Sequence, residues 1–273
     1  MRMNGTGLRS VVLSGLCVLC PAGMAADGTS EDENFFGIEK VDFNGTVPAD
    51  RPRFADSVRL VPKGYFVAEG GMRVDGRKEG GTATTIPASF LLRTGVTEDL
   101  ELRLGFEGYE IKAPGNDGAT HASAGIKARV HDETTLTPAI DVLAKVSLPT
   151  GNDALSSSKP EPQFHFIWGK ELTERFGIGG DLNFAERIFE ETGNYTLETA
   201  SAVFGHYSVT DRVSTYLEYY TILRQYDERD THAVDTGITF LPVRQLQLDA
   251  YIGTGLNDAS SDIYGGVGIA RLF

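Results

Sequence analysis

The sequence is poor in residue types that several classes of protein require. Its 273 residues include two cysteines, Cys17 and Cys20, and both lie close to the N-terminal end. The rest of the chain therefore has no thiol for a disulfide bond, a thiolate nucleophile or a metal–thiolate site. Basic residues are also few, since 25 Lys and Arg stand against 38 Asp and Glu, for a net charge of −13. Nucleic-acid binding requires a basic surface, so nucleic acid is not an expected partner.

Long apolar runs are missing as well. After the N-terminal end, no run approaches the roughly 18 to 20 apolar residues that a membrane-spanning helix needs. At that end, Arg2 and Arg9 precede the apolar stretch 11–20, and small residues follow it up to Ala26. This order is typical of an export signal and predicts that residues 1–25 are a signal peptide. Leucine precedes each cysteine where a lipoprotein signal requires a small residue, so no lipid anchor is expected.

What the sequence does contain is strict alternation of apolar and polar residues. In the stretch 100–107, leucine and phenylalanine alternate with Glu101, Arg103 and Glu107 on the other side. A period of two residues is the signature of a β-strand with one apolar and one polar face. Comparable stretches predict further strands near residues 65–74, 88–96, 121–130, 140–148, 164–168, 176–184, 196–207, 213–223, 234–241, 246–252 and 263–273.

The connections between these strands alternate in length. Short turns are predicted at residues 97–99, 132–134, 173–175, 210–212 and 242–244. Longer loops rich in Gly, Asn, Asp and Ser are predicted at residues 76–84, 113–120, 150–162, 190–194, 225–231 and 257–261. Short turns at one end and long loops at the other are typical of outer-membrane barrels, whose short turns are periplasmic. The sequence thus predicts an all-β fold, a closed antiparallel transmembrane β-barrel of the outer-membrane type with about 12 strands.

A soluble β-sandwich would show the same alternation, so the composition of the polar face is needed to distinguish it from a membrane barrel. That face is rich in glycine, tyrosine and charges of both signs, which suits the wide, polar lumen of a large barrel. Shifting the strand at 100–107 by one residue would bring Arg103 into hydrocarbon at a cost of about 2 to 4 kcal/mol. This register predicts the following lumen-lining side chains: Glu69, Arg73, Arg93, Glu101, Arg103, Glu107, Tyr109, Lys127, Arg129, Asp141, Lys145, Asp181, Tyr216, Glu218, Tyr220, Asp235, Asp249 and Tyr251.

The last strand ends in an aromatic residue, Phe273. This ending resembles the signal by which the barrel assembly machinery recognises outer-membrane barrels, although Arg271 replaces the usual apolar residue. Outward-facing Phe176, Tyr207 and Phe240 also lie near short turns, where an interfacial aromatic girdle is expected. Acidic residues in the long loops suit cation-bridged contact with lipopolysaccharide, and solvated loops would have the same composition. Lipid, lipopolysaccharide and the assembly machinery are the expected partners in a bacterial outer membrane.

Three stretches occur in a recognisable order: ADRPRFADS at 49–57 with VPKGYFVAEGG at 61–71, LRTGVTEDLELR at 92–103, and VSLPTG at 146–151. Together they resemble the meta-pathway phenol-degradation family of outer-membrane transporters. The resemblance covers residues 49–273. It implies an outer-membrane barrel associated with uptake of aromatic or other small hydrophobic compounds.

The region between the signal peptide and the barrel is acidic and rich in proline. Residues 26–58 are predicted to form a periplasmic N-terminal extension, and residues 59–273 the barrel. Two interpretations of the extension are open. It could plug the lumen, or it could be an unstructured acidic leader.

The predicted function is a channel or transporter for passive uptake of small molecules, without catalysis or cofactor. One alternative is a structural or surface-interaction barrel with a plugged lumen. Another is a barrel lipase, because His121 and Ser123 face the same side of one strand, although no third residue is evident to orient the histidine. The other histidines, His131, His165, His206 and His232, show no metal-ligand spacing, so no metal site is predicted.

Overall fold

The fold consists of β-strands and their connections. The computed structural model describes residues 33–34, 36–76, 83–113, 117–152, 155–189, 192–225 and 230–273, and the predicted signal peptide lies outside them. No helix among these residues has the length and apolar character needed to cross a membrane. The strands are β1 Phe66–Gly76, β2 Ala83–Gly95, β3 Leu100–Phe106, β4 Tyr109–Ala113, β5 Gly118–Ala119, β6 Ala122–His131, β7 Ala139–Leu148, β8 Glu161–Glu171, β9 Phe176–Phe189, β10 Asn194–Thr210, β11 Val213–Arg224, β12 Thr231–Val243, β13 Leu246–Gly255 and β14 Ile263–Leu272.

These strands close into one antiparallel barrel. Neighbours along the chain pair with each other from β6 through β14, and β1 pairs with both β14 and β2, which closes the ring. β2 pairs with β3 over residues 90–95 and with β4 over residues 83–85, so β3 and β4 form a single interrupted strand of the wall. β6 pairs with β3 and β5 pairs with β4, so β5 and β6 likewise form a single interrupted strand. The barrel therefore has 12 strands, as the sequence predicts.

The distribution of burial is the reverse of that in a soluble protein. In β3, Glu101 and Arg103 are 0% and 5% exposed, whereas Leu102 and Leu104 are 41% and 60% exposed. Burying charged groups is costly unless they are paired, and a large exposed apolar surface marks contact with lipid or a partner. The apolar face of each strand thus points outward to hydrocarbon, and the charged face points into the lumen.

The two ends of the barrel differ as expected. β10 and β11 are joined by two residues, Asp211 and Arg212, and β12 and β13 by Arg244 and Gln245. The connections at the opposite end are longer, for example residues 149–160 between β7 and β8. Parts of the predicted long loops, including residues 77–82, 114–116 and 226–229, lie outside the described residues.

Residues 47–61, here called the lumenal segment, lie inside the barrel. The segment enters and leaves through the short-turn end, where the amide of Val47 donates to the carbonyl of Arg244 and Lys63 forms a β-bridge with Gly95. Residues 47–58 of the predicted periplasmic extension are therefore in the lumen, and the first barrel strand begins at Phe66. The apolar core consists of two clusters between the segment and the wall: Val47, Ala49, Val61, Val67, Ala270 and Leu272 near the short turns, and Ala55, Ala202, Phe204, Tyr220, Ala233 and Tyr264 deeper in the lumen.

Candidate functional site

Carboxylates on the barrel wall bind the backbone amides of the lumenal segment. Glu218 accepts hydrogen bonds from the amides of Phe54 and Ala55, at 2.7 and 2.9 Å. Glu69 accepts from the amides of residues 50 and 51, at 3.1 Å each. Glu101 accepts from the amide of residue 61 at 2.8 Å. These bonds satisfy amides that a buried segment without secondary structure would otherwise leave unpaired.

Cationic side chains bind the carbonyl groups of the same segment. Arg93 donates to the carbonyl oxygen of Arg59 at 2.8 Å and also to that of Pro48. Lys127 donates to the carbonyl oxygen of Ser57, and Arg129 to that of residue 58. The wall therefore matches the segment's main chain with donors and acceptors of the required kind, independently of the segment's side chains.

Arg93 is the centre of a buried network of ion pairs. Its guanidinium lies 2.9 Å from Glu69, 2.8 Å from Glu101 and 3.4 Å from Asp50, which belongs to the lumenal segment. Arg103 pairs with Glu101 at 2.9 Å and also contacts Asp50. Such pairing offsets the cost of removing charged groups from water. The network joins the segment to the wall near the short-turn end.

Two glycines make room for a side chain of the segment. The guanidinium of Arg51 lies over Gly71 of β1 and Gly268 of β14, where any added Cβ would overlap it. From this position Arg51 pairs with Asp249 of β13 at 3.2 Å. Gln247 donates to the carbonyl oxygen of Arg51 at 3.0 Å. The glycine-rich seam between β1 and β14 therefore accommodates the segment.

The tip of the lumenal segment, residues 53–56, carries an aromatic ring. Phe54 stacks on Tyr220 of β11, with ring centroids 4.3 Å apart and an interplanar angle of 7°. Tyr220 in turn packs edge-on against Tyr264, whose hydroxyl donates to Asp235 at 3.0 Å. The Arg53 guanidinium, also in the tip, lies 4.0 Å from the centroid of the Phe204 ring.

The lumenal segment divides the lumen into cavities. One cavity, here called the loop-side cavity, lies toward the long loops and has a volume of about 1160 Å³. Phe54 and Asp56 of the segment contribute to its lining. The short-turn cavity has a volume of about 600 Å³ and is lined by Arg51, Arg53 and Arg59 of the segment. The segment thus stands between the two ends of the barrel.

Both basic side chains that line the loop-side cavity are paired with carboxylates. Lys145 lies 3.5 Å from Glu107, and Arg187 lies 3.1 Å from Glu161 and 3.0 Å from Glu198. The cavity therefore contains both signs of charge, but its lining has five carboxylates against one lysine and one arginine, so it favours cationic over anionic solutes.

A cluster that the sequence did not predict lies where the tip meets the wall. Asp56 of the segment, His165 of β8 and Asp181 of β9 each place one nitrogen or oxygen atom within 4.8 Å of the others. The His165 Nδ1 atom is 2.9 Å from an Asp56 carboxylate oxygen, and the Asp56 amide donates to Asp181 at 3.2 Å. Burial opposes ionisation of Asp56, but the hydrogen bond to His165 and the nearby positive charges outweigh it and hold its pKa well below the usual range.

The structure places the predicted lumen-lining residues inside the barrel, with one exception. Tyr109 is 44% exposed, and Glu110 lines the loop-side cavity in its place. The cause is Gly108, whose φ of +124° interrupts the alternation between β3 and β4. Strict alternation from Glu107 predicted the wrong face for Tyr109.

The proposed pair of a barrel lipase is not assembled. His121 lines the loop-side cavity, whereas Ser123 is buried and contributes to another cavity beside the lumenal segment. In the part of the chain that the structure describes, no hydrogen bond joins their side chains, and the His121 Nδ1 atom has no hydrogen-bond partner. The serine and the histidine therefore lack the direct hydrogen bond that joins a nucleophile to its base.

The aromatic residues near the short turns face outward. Phe176, Tyr207, Phe240 and Phe273 are between 38% and 47% exposed. The Arg271 guanidinium lies 4.9 Å from the centroid of the Phe273 ring. Recognition of this C-terminal strand by the assembly machinery stays a prediction.

Comparison with known proteins agrees with this architecture. An outer membrane channel from Pseudomonas putida F1 aligns with a TM-score of 0.57 and 13% identity, over 81% of this chain and 99% of that chain. The NanC porin aligns with a TM-score of 0.53 and 8% identity, over 76% of this chain and 98% of that chain. At these identities the likeness shows the fold, an outer-membrane β-barrel, and with the apolar exterior it indicates the bacterial outer membrane as the location. No curated protein sequence matches the chain. Residues 49–273 match the family described as "Putative MetA-pathway of phenol degradation", and the chain belongs to this family.

Proposed function

We propose that the protein is a passive outer-membrane channel for small, largely uncharged molecules that carry an aromatic or apolar group, and that the lumenal segment sets its selectivity. The observation that carries this proposal is the position of the segment, which crosses the lumen between two polar cavities. A solute that moves between the ends of the barrel has to pass the segment. Its size and chemistry then limit what passes.

The chemistry around the tip supports the solute class. Phe54 is 37% exposed and lines the loop-side cavity beside its stack on Tyr220. Aromatic rings attract further rings in offset or edge-on geometries, worth about 0.5 to 1.5 kcal/mol beyond the burial of area. The two basic side chains of the cavity are already paired with carboxylates, so a neutral polar–aromatic solute is accommodated without breaking an ion pair.

A structural or surface-interaction barrel is the second candidate. The observation in its favour is the extent of the contacts that hold the segment in the lumen, including the buried network around Arg93. If the segment never moves and no solute passes it, the barrel is a closed scaffold.

The test is transport by the purified mature protein in lipid vesicles and planar bilayers. We expect measurable conductance and faster influx of phenol-sized aromatic solutes than of sugars of similar size. Phe54→Ala should reduce this preference while total conductance stays the same or rises. Phe36→Ala is the matched control, because Phe36 lies in the N-terminal region outside the lumenal segment, is 64% exposed and should leave the preference unchanged. Absence of conductance and solute influx, with the segment intact and with residues 26–58 deleted, would support the scaffold instead.

A further inference from the structure

We propose that Asp56, His165 and Asp181 form a binding site for one divalent transition-metal ion of the Zn²⁺ type, which links the tip of the lumenal segment to the barrel wall. The three residues come from three elements: the segment, β8 and β9. The proposal rests on where the segment lies and does not depend on transport.

The donor set suits such an ion. One imidazole nitrogen and two carboxylate oxygens are ligands that Zn²⁺ accepts at about 2.0 to 2.2 Å, whereas Mg²⁺ and Ca²⁺ prefer oxygen alone. The three potential ligand atoms lie within 4.8 Å of one another, so small side-chain movements would bring them to one ion. Asp56 and His165 also line the loop-side cavity, which offers a route for the ion and water for a fourth ligand.

Two buried atoms in the cluster lack partners. Asp181 is 3% exposed and His165 is 7% exposed. Among the residues that the structure describes, the Oδ1 atom of Asp181 and the Nε2 atom of His165 have no hydrogen-bond partner. Leaving a buried polar atom unpaired costs about 1 to 3 kcal/mol. A bound cation would remove part of this cost.

The charges in the cluster are also incompletely balanced. Asp56 has two partners, Arg103 at 2.9 Å and His165 at 2.9 Å. The side chain of Asp181 receives the Asp56 amide at 3.2 Å and the Asn183 amide at 3.4 Å, and no ion pair of Asp181 is found in the described part of the chain. A cation between the two carboxylates would offset the second negative charge.

The bound ion would stabilise the docked position of the segment. Any ligand that binds the docked state alone favours that state by mass action. The amides of residues 54–56, which donate to Glu218 and Asp181, should therefore exchange hydrogen more slowly when the ion is present.

Direct Zn²⁺ titration against a chromophoric chelator tests the site, with the mature protein purified in detergent. We expect one Zn²⁺ per chain, with affinity reduced at least about tenfold in His165→Gln and in Asp181→Asn, because loss of a residue that only orients a ligand already costs about that much. His121→Gln is the matched control, because His121 lines the same cavity but lies outside the cluster. Zinc-edge X-ray absorption of the parent should show one imidazole among nitrogen and oxygen ligands.

Three results would overturn the proposal: no stoichiometric binding, an equal loss in His121→Gln, or a zinc spectrum without imidazole. If His165→Gln does not give a heat-modifiable barrel, Asp181→Asn and the spectrum of the parent decide. Binding without slower amide exchange at residues 54–56 would refute the link between the ion and the segment. These measurements involve no transport, so their failure is distinct from failure of the channel proposal.

Discussion

Replacing Arg93 by methionine tests whether charge pairing keeps the lumenal segment docked. Arg93 is fully buried and pairs with Glu69 at 2.9 Å and Glu101 at 2.8 Å. Methionine would fill part of the space but leave both carboxylates buried without this cation. Removing one partner of a buried ion pair costs about 3 to 5 kcal/mol. The cost falls on the docked state, since undocking exposes the carboxylates to water.

The undocked population should therefore rise by about two to three and a half orders of magnitude, because about 1.4 kcal/mol corresponds to a factor of ten. Labelling by a water-soluble maleimide measures this population. Residues 26–273 contain no cysteine, and Ala55 at the tip is 1% exposed, so Ala55→Cys serves as a tip reporter. The labelling rate should rise by the same factor as the undocked population.

The control for this experiment is Arg175→Met, which removes an exposed arginine from a short turn and should leave the labelling rate unchanged. A second variant that combines Arg93→Met with Glu69→Gln should recover part of the docking, because Arg93 is the only ion-pair partner of Glu69 among the described residues and the second change removes the charge left without it. The reasoning is refuted if Arg93→Met gives a folded, heat-modifiable barrel whose tip reporter reacts within about threefold of the parent rate.

Three further predictions concern the segment and the wall. Gly71→Ala should raise the tip-reporter rate about tenfold, because the added methyl group overlaps the guanidinium that lies over this glycine, whereas Gly70→Ala in the same strand should not. Leu104→Arg should destabilise the barrel by about 2 to 4 kcal/mol in urea unfolding from vesicles, while Leu136→Arg in an exposed turn should change stability by less than about 0.5 kcal/mol. Asp56→Asn should raise the tip-reporter rate about ten- to hundredfold at pH 7. This factor corresponds to the free energy that a hydrogen bond to a charged group usually contributes. The pKa of Asp56 is lowered in the docked state, so its contribution is full above the free value of about 4 and is lost only below it. After normalisation to a free thiol, the effect of Asp56→Asn should be no smaller at pH 5 than at pH 7, and a smaller effect would contradict the assignment.

The wall of the barrel was predictable because its sequence signal is strong. Alternation with a period of two assigns each side chain to one face, and the penalty for a charge in hydrocarbon fixes the register. Glu101 and Arg103 are therefore in the lumen as predicted, and Leu102 and Leu104 face outward. The prediction was wrong at Tyr109, where a glycine with positive φ breaks the alternation. A signal was present in the sequence, because the polar residues Glu110 and Lys112 alternate with Tyr109 and Ile111 in the opposite phase to the stretch that ends at Glu107.

The interior was less predictable, because its contacts leave weaker signals. The wall binds the lumenal segment through backbone groups such as the amides of Phe54 and Ala55, and every residue except proline has such an amide. The sequence therefore left both a plug and an unstructured leader open as interpretations. The Asp56–His165–Asp181 cluster has no characteristic spacing either, since its members come from three elements that meet only in the fold. One signal was present: the lumen-facing charges of the strands were numerous enough to need partners in the interior.

Because the wall binds the main chain of the lumenal segment, a side chain of the segment can change without loss of these backbone hydrogen bonds. Glu218 contacts the amide nitrogens of residues 54 and 55 whatever side chains they carry. Exchange of the ring at Phe54 for a smaller, larger or charged group would thus change the permeation spectrum without rebuilding the barrel. If the segment selects solutes as proposed, its side chains can be exchanged within a fixed barrel, which would make the fold a suitable scaffold for engineered nanopores.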